Sequence, residues 1–290
     1  MSGMVINTNV PSLTAQRYLT SSRADMEQAM ERLSSGKRIN SAMDDAAGLT
    51  ISHSLDSKIA SLGQAVRNAN DGIALVNLAE GAMDEISSML TRMKELATQA
   101  INGTYNNTDR ASLDLEYQAL VDEVTRISDN TQFNTVALIG STSTIKFQLG
   151  DTTSDSISVT LEDMSSLVLK LDSTVTVGAT NVHDDDVDTA GSDLTSASNA
   201  GYTLAKIDAA ITSVDTYRAK LGAVANRMEH AAANLMSRVE HQSAARSQIQ
   251  DADYAVESAN LAKNQVLQQA GSAMLAQANA SAANILSLLK

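Results

Sequence analysis

The chain has 290 residues with no Cys, no Trp, one Pro and two Phe, and carries a formal net charge of −13. This excludes disulfides and thiol chemistry, offers no basic stripe to neutralise nucleic-acid phosphates, and leaves no apolar run near the roughly 20 residues of a membrane span. Ala, Ser, Asn and Gln are abundant instead, and such small and polar residues suit close helix–helix contact better than a thick core.

The opening stretch to residue 12 reads as extended, without the charged start and apolar core of a secretory signal. Pro11 stands where a helix would begin, because its fixed φ suits the first turn. A first helix follows, with Ala15, Leu19, Ser22, Met26, Ala29 and Leu33 in alternating steps of four and three, a seam for a partner helix. Gly36 marks its stop in the left-handed conformation. Ser41 to Asp44 reads as a capping box, and Asp44 and Asp45 suit the positive end of a helix dipole.

The long helix behind that cap carries Leu55, Ile59, Leu62, Val66, Ala69, Ile73 and Val76. After one phase shift come Ala79, Met83, Ile86, Leu90, Met93, Ala97 and Ala100, still on one drifting stripe. A helix of this length spans about 70–85 Å, too long for an ordinary globular helix and expected of a rod. Asn102-Gly103 reads as its stop. A third helix carries Leu113, Tyr117, Leu120, Val124 and Ile127.

The pattern then becomes β-branched: Thr144–Leu149, Ser156–Leu161 and Leu167–Leu171 with Val175 and Val177. One or two small antiparallel hairpins are expected there, the first turning at Gly150-Asp151. Asn181 to Gly201 holds five Asp and no Lys or Arg, and reads as an exposed acidic loop. Helical spacing resumes at Leu204, Ile207, Ile211, Val214, Tyr217, Leu221, Val224 and Met228, and runs through Leu235 and Val239. A last helix from Asp253 is expected to use Val266/Leu267, Ala270, Met274, Ala278, Ile285 and Leu288/Leu289 as its stripe. The predicted fold is mainly α: a long antiparallel helical coiled-coil or bundle rod with a small β-hairpin region in the middle of the chain.

Chemistry-bearing clusters are few. Glu229-His230 and Glu240-His241 share a helix face but lie about 16 Å apart, too far to share a metal. Asp184 to Asp188 resembles the start of a calcium loop, yet the positions that need Gly and Glu are Thr189 and Thr195. No serine has a matching base constellation. No catalytic, metal-binding or cofactor-binding residue is expected, and the chain reads as no enzyme.

Several longer stretches resemble bacterial flagellin, the subunit of the flagellar filament. They are Val5–Asn9, Leu33-Ser-Ser-Gly-Lys-Arg-Ile-Asn-Ser-Ala42, Asp44-Asp-Ala-Ala-Gly48, Arg67–Gly72, Glu95–Ala97 and Thr131–Asn134. The C-terminal part adds Leu221–Ala223, Asn226-Arg227, Arg246-Ser247, Asp251–Ala255, Gln268–Gly271, Leu275–Asn279 and Ile285–Leu289. The resemblance implies a short form without large outer domains. Residues 1–44 and 251–290 would form an inner coiled-coil domain, and 45–180 with 202–250 a helical rod domain with hairpins. The acidic loop 181–201 would stand in place of outer variable domains. It further implies self-assembly into an extracellular filament for swimming, after unfolded export through the flagellar type III apparatus.

The partners the resemblance implies are other copies of the chain, hook–filament junction and cap proteins, an export chaperone and the animal Toll-like receptor that senses flagellin, with neither nucleic acid nor membrane. Arg92, Leu96 and Glu116 match positions of receptor contact and subunit packing. O-linked sugar on Ser or Thr of 141–198 would fit the family. The apolar tail Ile285, Leu286, Leu288 and Leu289 is the expected assembly tail. A hook–filament junction protein is the nearest alternative, and a chemoreceptor-like signalling rod a more distant one.

Overall fold

The computed structural model describes residues 8–165, 169, 171 and 192–288, with side chains as far as Ser281. Among the described residues the elements run α1 (Val10–Ser35), α2 (Ala46–Ile101), α3 (Asn107–Asn130), β1 (Gln132–Phe133), β2 (Val136–Ala137), β3 (Ser143–Gln148), β4 (Ser156–Leu161), α4 (Ala197–Gln250) and α5 (Tyr254–Leu288). The mainly α fold is the one the periodicity predicts. The chain divides into two compact units, Met1–Ala60 with Glu240–Lys290, and Ser61–Val239.

In the first unit α1 and α5 pair. Asn9 caps α1, its side chain accepting from the Ser12 amide at 3.1 Å, and Pro11 lies in the first turn. Gly36 ends the helix at φ 70°, donating to the Arg32 carbonyl at 2.9 Å. The chain leaving α1 then meets the chain entering α5. Lys37 bridges antiparallel to Asp251, Arg38 donates its amide to the Gln250 carbonyl at 2.6 Å, and Ala252 donates to the Gly36 carbonyl at 3.0 Å. Ile39, 1% exposed, plugs the space over the first turn of α2.

The start of α2 differs from the expected capping box. Asp45 is the cap, its Oδ1 accepting from the Gly48 amide at 2.9 Å and its carbonyl from Leu49 at 3.0 Å. Asp44 serves the turn before it, its Oδ2 accepting from the Asn40 and Ser41 amides at 3.1 and 2.9 Å. Ser41 therefore belongs to a turn, and the helix starts at Ala46.

In the second unit one core joins α2, α3, α4 and the strands. The expected α2 stripe is the one buried: Ala79, Met83, Ile86, Leu90, Met93, Ala97 and Ala100 are each fully inaccessible. From α4 Ile207, Val214, Tyr217, Leu221 and Met228 meet it, and from α3 Tyr117, Val121 and Val124. The two buried tyrosines tie the strand region to the helices, Tyr117 donating to the Leu171 carbonyl and Tyr217 to the Leu138 carbonyl, each at 3.3 Å. A smaller cluster of Leu62, Ala65, Ala69, Leu149, Ala232 and Leu235 continues the same pattern.

β3 and β4 form the expected antiparallel hairpin, Ser143 opposite Leu161 and Gln148 opposite Ser156. The Leu167–Val177 stretch lies outside the described residues apart from Leu169 and Leu171. A second hairpin, β1–β2, turns through Asn134 and Thr135 at φ 47° and 69°. Two successive residues at positive φ match the twist of a two-residue hairpin turn. Of the expected acidic loop, residues 181–191 lie outside the described residues, and Ala197–Gly201 already form the start of α4.

α2 ends at Ile101, directly before the expected stop at Asn102-Gly103, without a left-handed Gly103. Arg110 on α3, 8% exposed, donates from Nε to the Ala100 carbonyl at 2.8 Å and from Nη2 to the Asn102 carbonyl at 3.2 Å. A cation on the last carbonyls satisfies free acceptors and opposes the negative helix end. α3 itself starts with a capping box between Asn106 and Asp109.

Candidate functional site

The α1 seam is the predicted one. Ser12, Ser22 and Ala29 are buried, Ala15, Leu19, Met26 and Leu33 are half-buried, and the residues between Thr14 and Leu33 off this stripe are exposed, Arg32 excepted. Steps of three and four keep these side chains facing one partner helix.

The partner seam on α5 corrects the sequence reading. Glu257, Leu261, Asn264, Gln268, Gly271, Leu275 and Ala278 face inward. Of the expected stripe's described side chains only Ala278 belongs to it. Val266, Leu267 and Met274 are 64%, 47% and 63% exposed, and Val256, in line with the last two, is 54% exposed. At about 100° per residue Val256, Leu267 and Met274 are displaced by roughly a quarter turn from the seam, and Val266 lies roughly half a turn from it. The most apolar face of α5 is thus unused within the chain. The seam that is used consists mainly of small and polar residues, which a hydrophobicity pattern does not single out.

Polar contacts punctuate the seam. Arg32 Nη1 meets Glu257 Oε1 at 3.0 Å, with the glutamate side chain only 8% exposed. Ser22 Oγ donates to the Asn264 carbonyl at 3.2 Å, and Ser12 Oγ to Asn279 Oδ1 at 2.9 Å. Asn9 Nδ2 donates to the Ala278 carbonyl at 3.1 Å. On α1 the exposed apolar side chains Val10, Leu13, Tyr18 and Met30 are scattered around the helix, with Arg17 held over the Tyr18 ring at 5.5 Å. On α5, by contrast, Val256, Leu267, Ala270 and Met274 share one line of the helix, with Asn260 and Lys263 between the first two. The tail residues Ile285, Leu286 and Leu288 have no described side chains, and Leu289 lies outside the described residues.

The structure brings Arg92 and Glu116 together across α2 and α3. The guanidinium meets Glu116 Oε1 at 2.9 Å and Glu95 Oε2 at 2.9 Å, and all three side chains are about half exposed, 50%, 47% and 62%. The glutamates raise the Arg92 pKa further, Glu116 first. Leu96, 1% exposed, sits in the core beneath them and presents no surface.

Other sequence candidates stay apart. His53, His230 and His241 are exposed on their helices. Among the described residues no group of His, Cys, Asp and Glu is placed to hold a metal ion. Asp184–Asp188 lie outside the described residues. No described helix is long and apolar enough to cross a membrane.

Comparison with known proteins places this geometry. Residues 6–144 match the family description "Bacterial flagellin N-terminal helical region", and residues 204–289 match "Bacterial flagellin C-terminal helical region". A flagellin of Halalkalibacterium halodurans is 41% identical over 290 residues, covering 99% of this chain and 100% of its own. A flagellin of Bacillus subtilis is 40% identical over 304 residues, covering 99% and 100%. Flagellin D of Vibrio cholerae is 35% identical over 372 residues, covering 98% and 99%. A crystal structure of Bacillus cereus flagellin covers 58% of this chain and 88% of its own at 32% identity, with a TM-score of 0.48; at that score the superposition adds nothing to the sequence match.

Proposed function

The chain belongs to the bacterial flagellin family, and from that premise we propose that the exposed stripe of α5 is the surface on which copies of the chain assemble. The protein is a structural subunit of the extracellular flagellar filament and polymerises with itself. Full-length identity to filament flagellins leaves the hook–filament junction reading without support.

The observation that carries the assembly surface is the exposure of Val256, Leu267 and Met274 along one line of the helix, with Val266 about 100° round from it, on a helix whose other seam is already occupied. An apolar stripe on an exposed helix face gains by burial, at about 25 cal/mol per Å². A contact between different faces of two identical chains repeats without closing and grows a helical polymer. The tail Ile285, Leu286, Leu288 and Leu289 extends the same apolar character toward the C-terminus. Electron microscopy of seeded, purified protein tests this reading. Long filaments support it; soluble dimers or small closed rings would contradict it.

The specific partners follow from the same reading: export as an unfolded chain with a chaperone, and contacts with junction and cap proteins at the filament ends. Residues 1–44 with 251–290 make the inner domain of this proposal, and the helical remainder the outer one. No catalytic role is proposed. The half-exposed Arg92–Glu116 pair is the proposed contact with the flagellin-sensing Toll-like receptor of animals, with Leu96 holding the helix from beneath. An arginine fork fixed by two carboxylates is a preformed anchor. Arg92→Ala is expected to weaken activation of receptor-reporter cells by monomer several-fold; an unchanged response would remove the assignment.

A further inference from the structure

The two seams of the α1–α5 pair are nearly self-repeating. On α1 the long side chains Leu19, Met26 and Leu33 recur every seventh residue, with small Ala15, Ser22 and Ala29 between them. On α5 Leu261, Gln268 and Leu275 recur in the same way, separated by Asn264, Gly271 and Ala278. Sliding one helix past the other by one heptad again sets long residues opposite shorter ones, so the heptad spacing alone selects no alignment.

Two contacts do distinguish alignments, because each needs two particular side chains. One is the Arg32–Glu257 ion pair, and the other the Ser12–Asn279 hydrogen bond near the far end. A slip of one heptad would carry each away from its partner and leave Glu257, 8% exposed, with its charge uncompensated. Taking one member from a buried ion pair is strongly destabilising, whereas replacing both by apolar groups is often neutral or stabilising. The pair is also imperfect: Arg32 Nε is buried and meets no hydrogen-bond acceptor. An imperfect buried pair adds little stability but discriminates strongly between alignments. The Lys37–Asp251 bridge lies at the same end and is made of backbone groups, so it carries no side-chain specificity.

We propose that the Arg32–Glu257 and Ser12–Asn279 rungs are register determinants that select one heptad alignment of the terminal helices. This does not rest on the assembly reading, since the rungs act within one chain.

The absence of cysteine makes the test direct. A Cβ built on Gly271 lies 3.9 Å from Leu19 Cβ, within the roughly 3.5–4.5 Å that a disulfide spans. Leu19→Cys with Gly271→Cys reports the described alignment. Leu19→Cys with Asn264→Cys, or with Ala278→Cys, reports a slip of one heptad in either direction. Cross-linking is read in the soluble full chain and in pelleted polymer.

With the rungs intact, only the first pair is expected to cross-link. With Arg32→Leu, Glu257→Leu, Ser12→Ala and Asn279→Ala together, slipped cross-links are expected, lowering the in-register preference by about tenfold or more. The exchanged pair Arg32→Glu with Glu257→Arg, both Ser12 and Asn279 being kept, is expected to restore a single alignment. A rung-free chain that still cross-links only at the first pair would overturn the proposal. So would loss of all three cross-links in that chain, which would make the rungs a source of stability rather than of register. Failure of the first pair in the parent chain would overturn the pairing itself.

Discussion

Asp44 accepts the Ser41 and Asn40 amides and the Gln28 side-chain amide, and these bonds, the Ser41 amide first, hold its carboxyl at about 2. A depressed folded pKa means that its contribution to the turn is fully present above the ordinary carboxylate range and is lost as pH falls through about 2. The Asn40 and Ser41 amide resonances are therefore expected to titrate near pH 2 and not near pH 4, and Asp44→Asn to abolish that step; a midpoint near 4 would contradict the assignment. Arg110 makes a second residue-scale case. Arg110→Ala leaves the Ala100 carbonyl without its side-chain donor and the Asn102 carbonyl with the Tyr105 amide alone, and is expected to destabilise the protein by about 1–3 kcal/mol in denaturant melts. Lys at this position lacks the fork that reaches two carbonyls and is not expected to restore it; a melt unchanged by Arg110→Ala would show that water replaces the cap. Asp44 was legible in part, since a capping box has it accept the Ser41 amide as it does; Arg110 was not. Caps involving Asp44 and Asp45 differ by a single position, and Arg110 acts from another helix, which no local pattern records.

The helices were legible where one face carries large apolar residues and the other does not. The α2 and α4 stripes and the α1 seam hold in the structure because each is the only candidate face on its helix. On α5 there are two candidates, and the apolar one is exposed while the seam of Glu257, Asn264, Gln268 and Gly271 is turned inward. Periodicity finds an apolar stripe but does not say which neighbour, within the chain or beyond it, covers that stripe. The short β1–β2 hairpin escaped because its strands have two residues each, below the length at which alternation registers. The tail belongs to this scale too. Four apolar residues buried at about 1.5–3 kcal/mol each rival the net stability of a domain. Deleting Ile285–Lys290 is expected to abolish seeded polymerisation, read by sedimentation, without shifting the melt of the Ser61–Val239 unit. Normal polymer from the truncated chain would assign the tail another role.

For the molecule as a whole, the two compact units divide the physical tasks. Ser61–Val239 carries the large contiguous core, whereas Met1–Ala60 with Glu240–Lys290 is held by small residues, polar rungs and a backbone bridge. Ordering a residue costs about 1–2 kcal/mol of backbone entropy, and a thin seam recovers little of it within one chain. The family match says what the molecule builds, and on the assembly proposal the exposed α5 stripe supplies the missing burial. The Val266→Asp/Met274→Asp variant separates these points, since both residues lie outside the α1 seam. Its soluble form should melt like the parent, because an exposed aspartate costs little in the monomer. Seeded with parent filament fragments, the parent should sediment as polymer while the variant stays in the supernatant. Polymer from the variant in parental yield would show that the filament is built on another face.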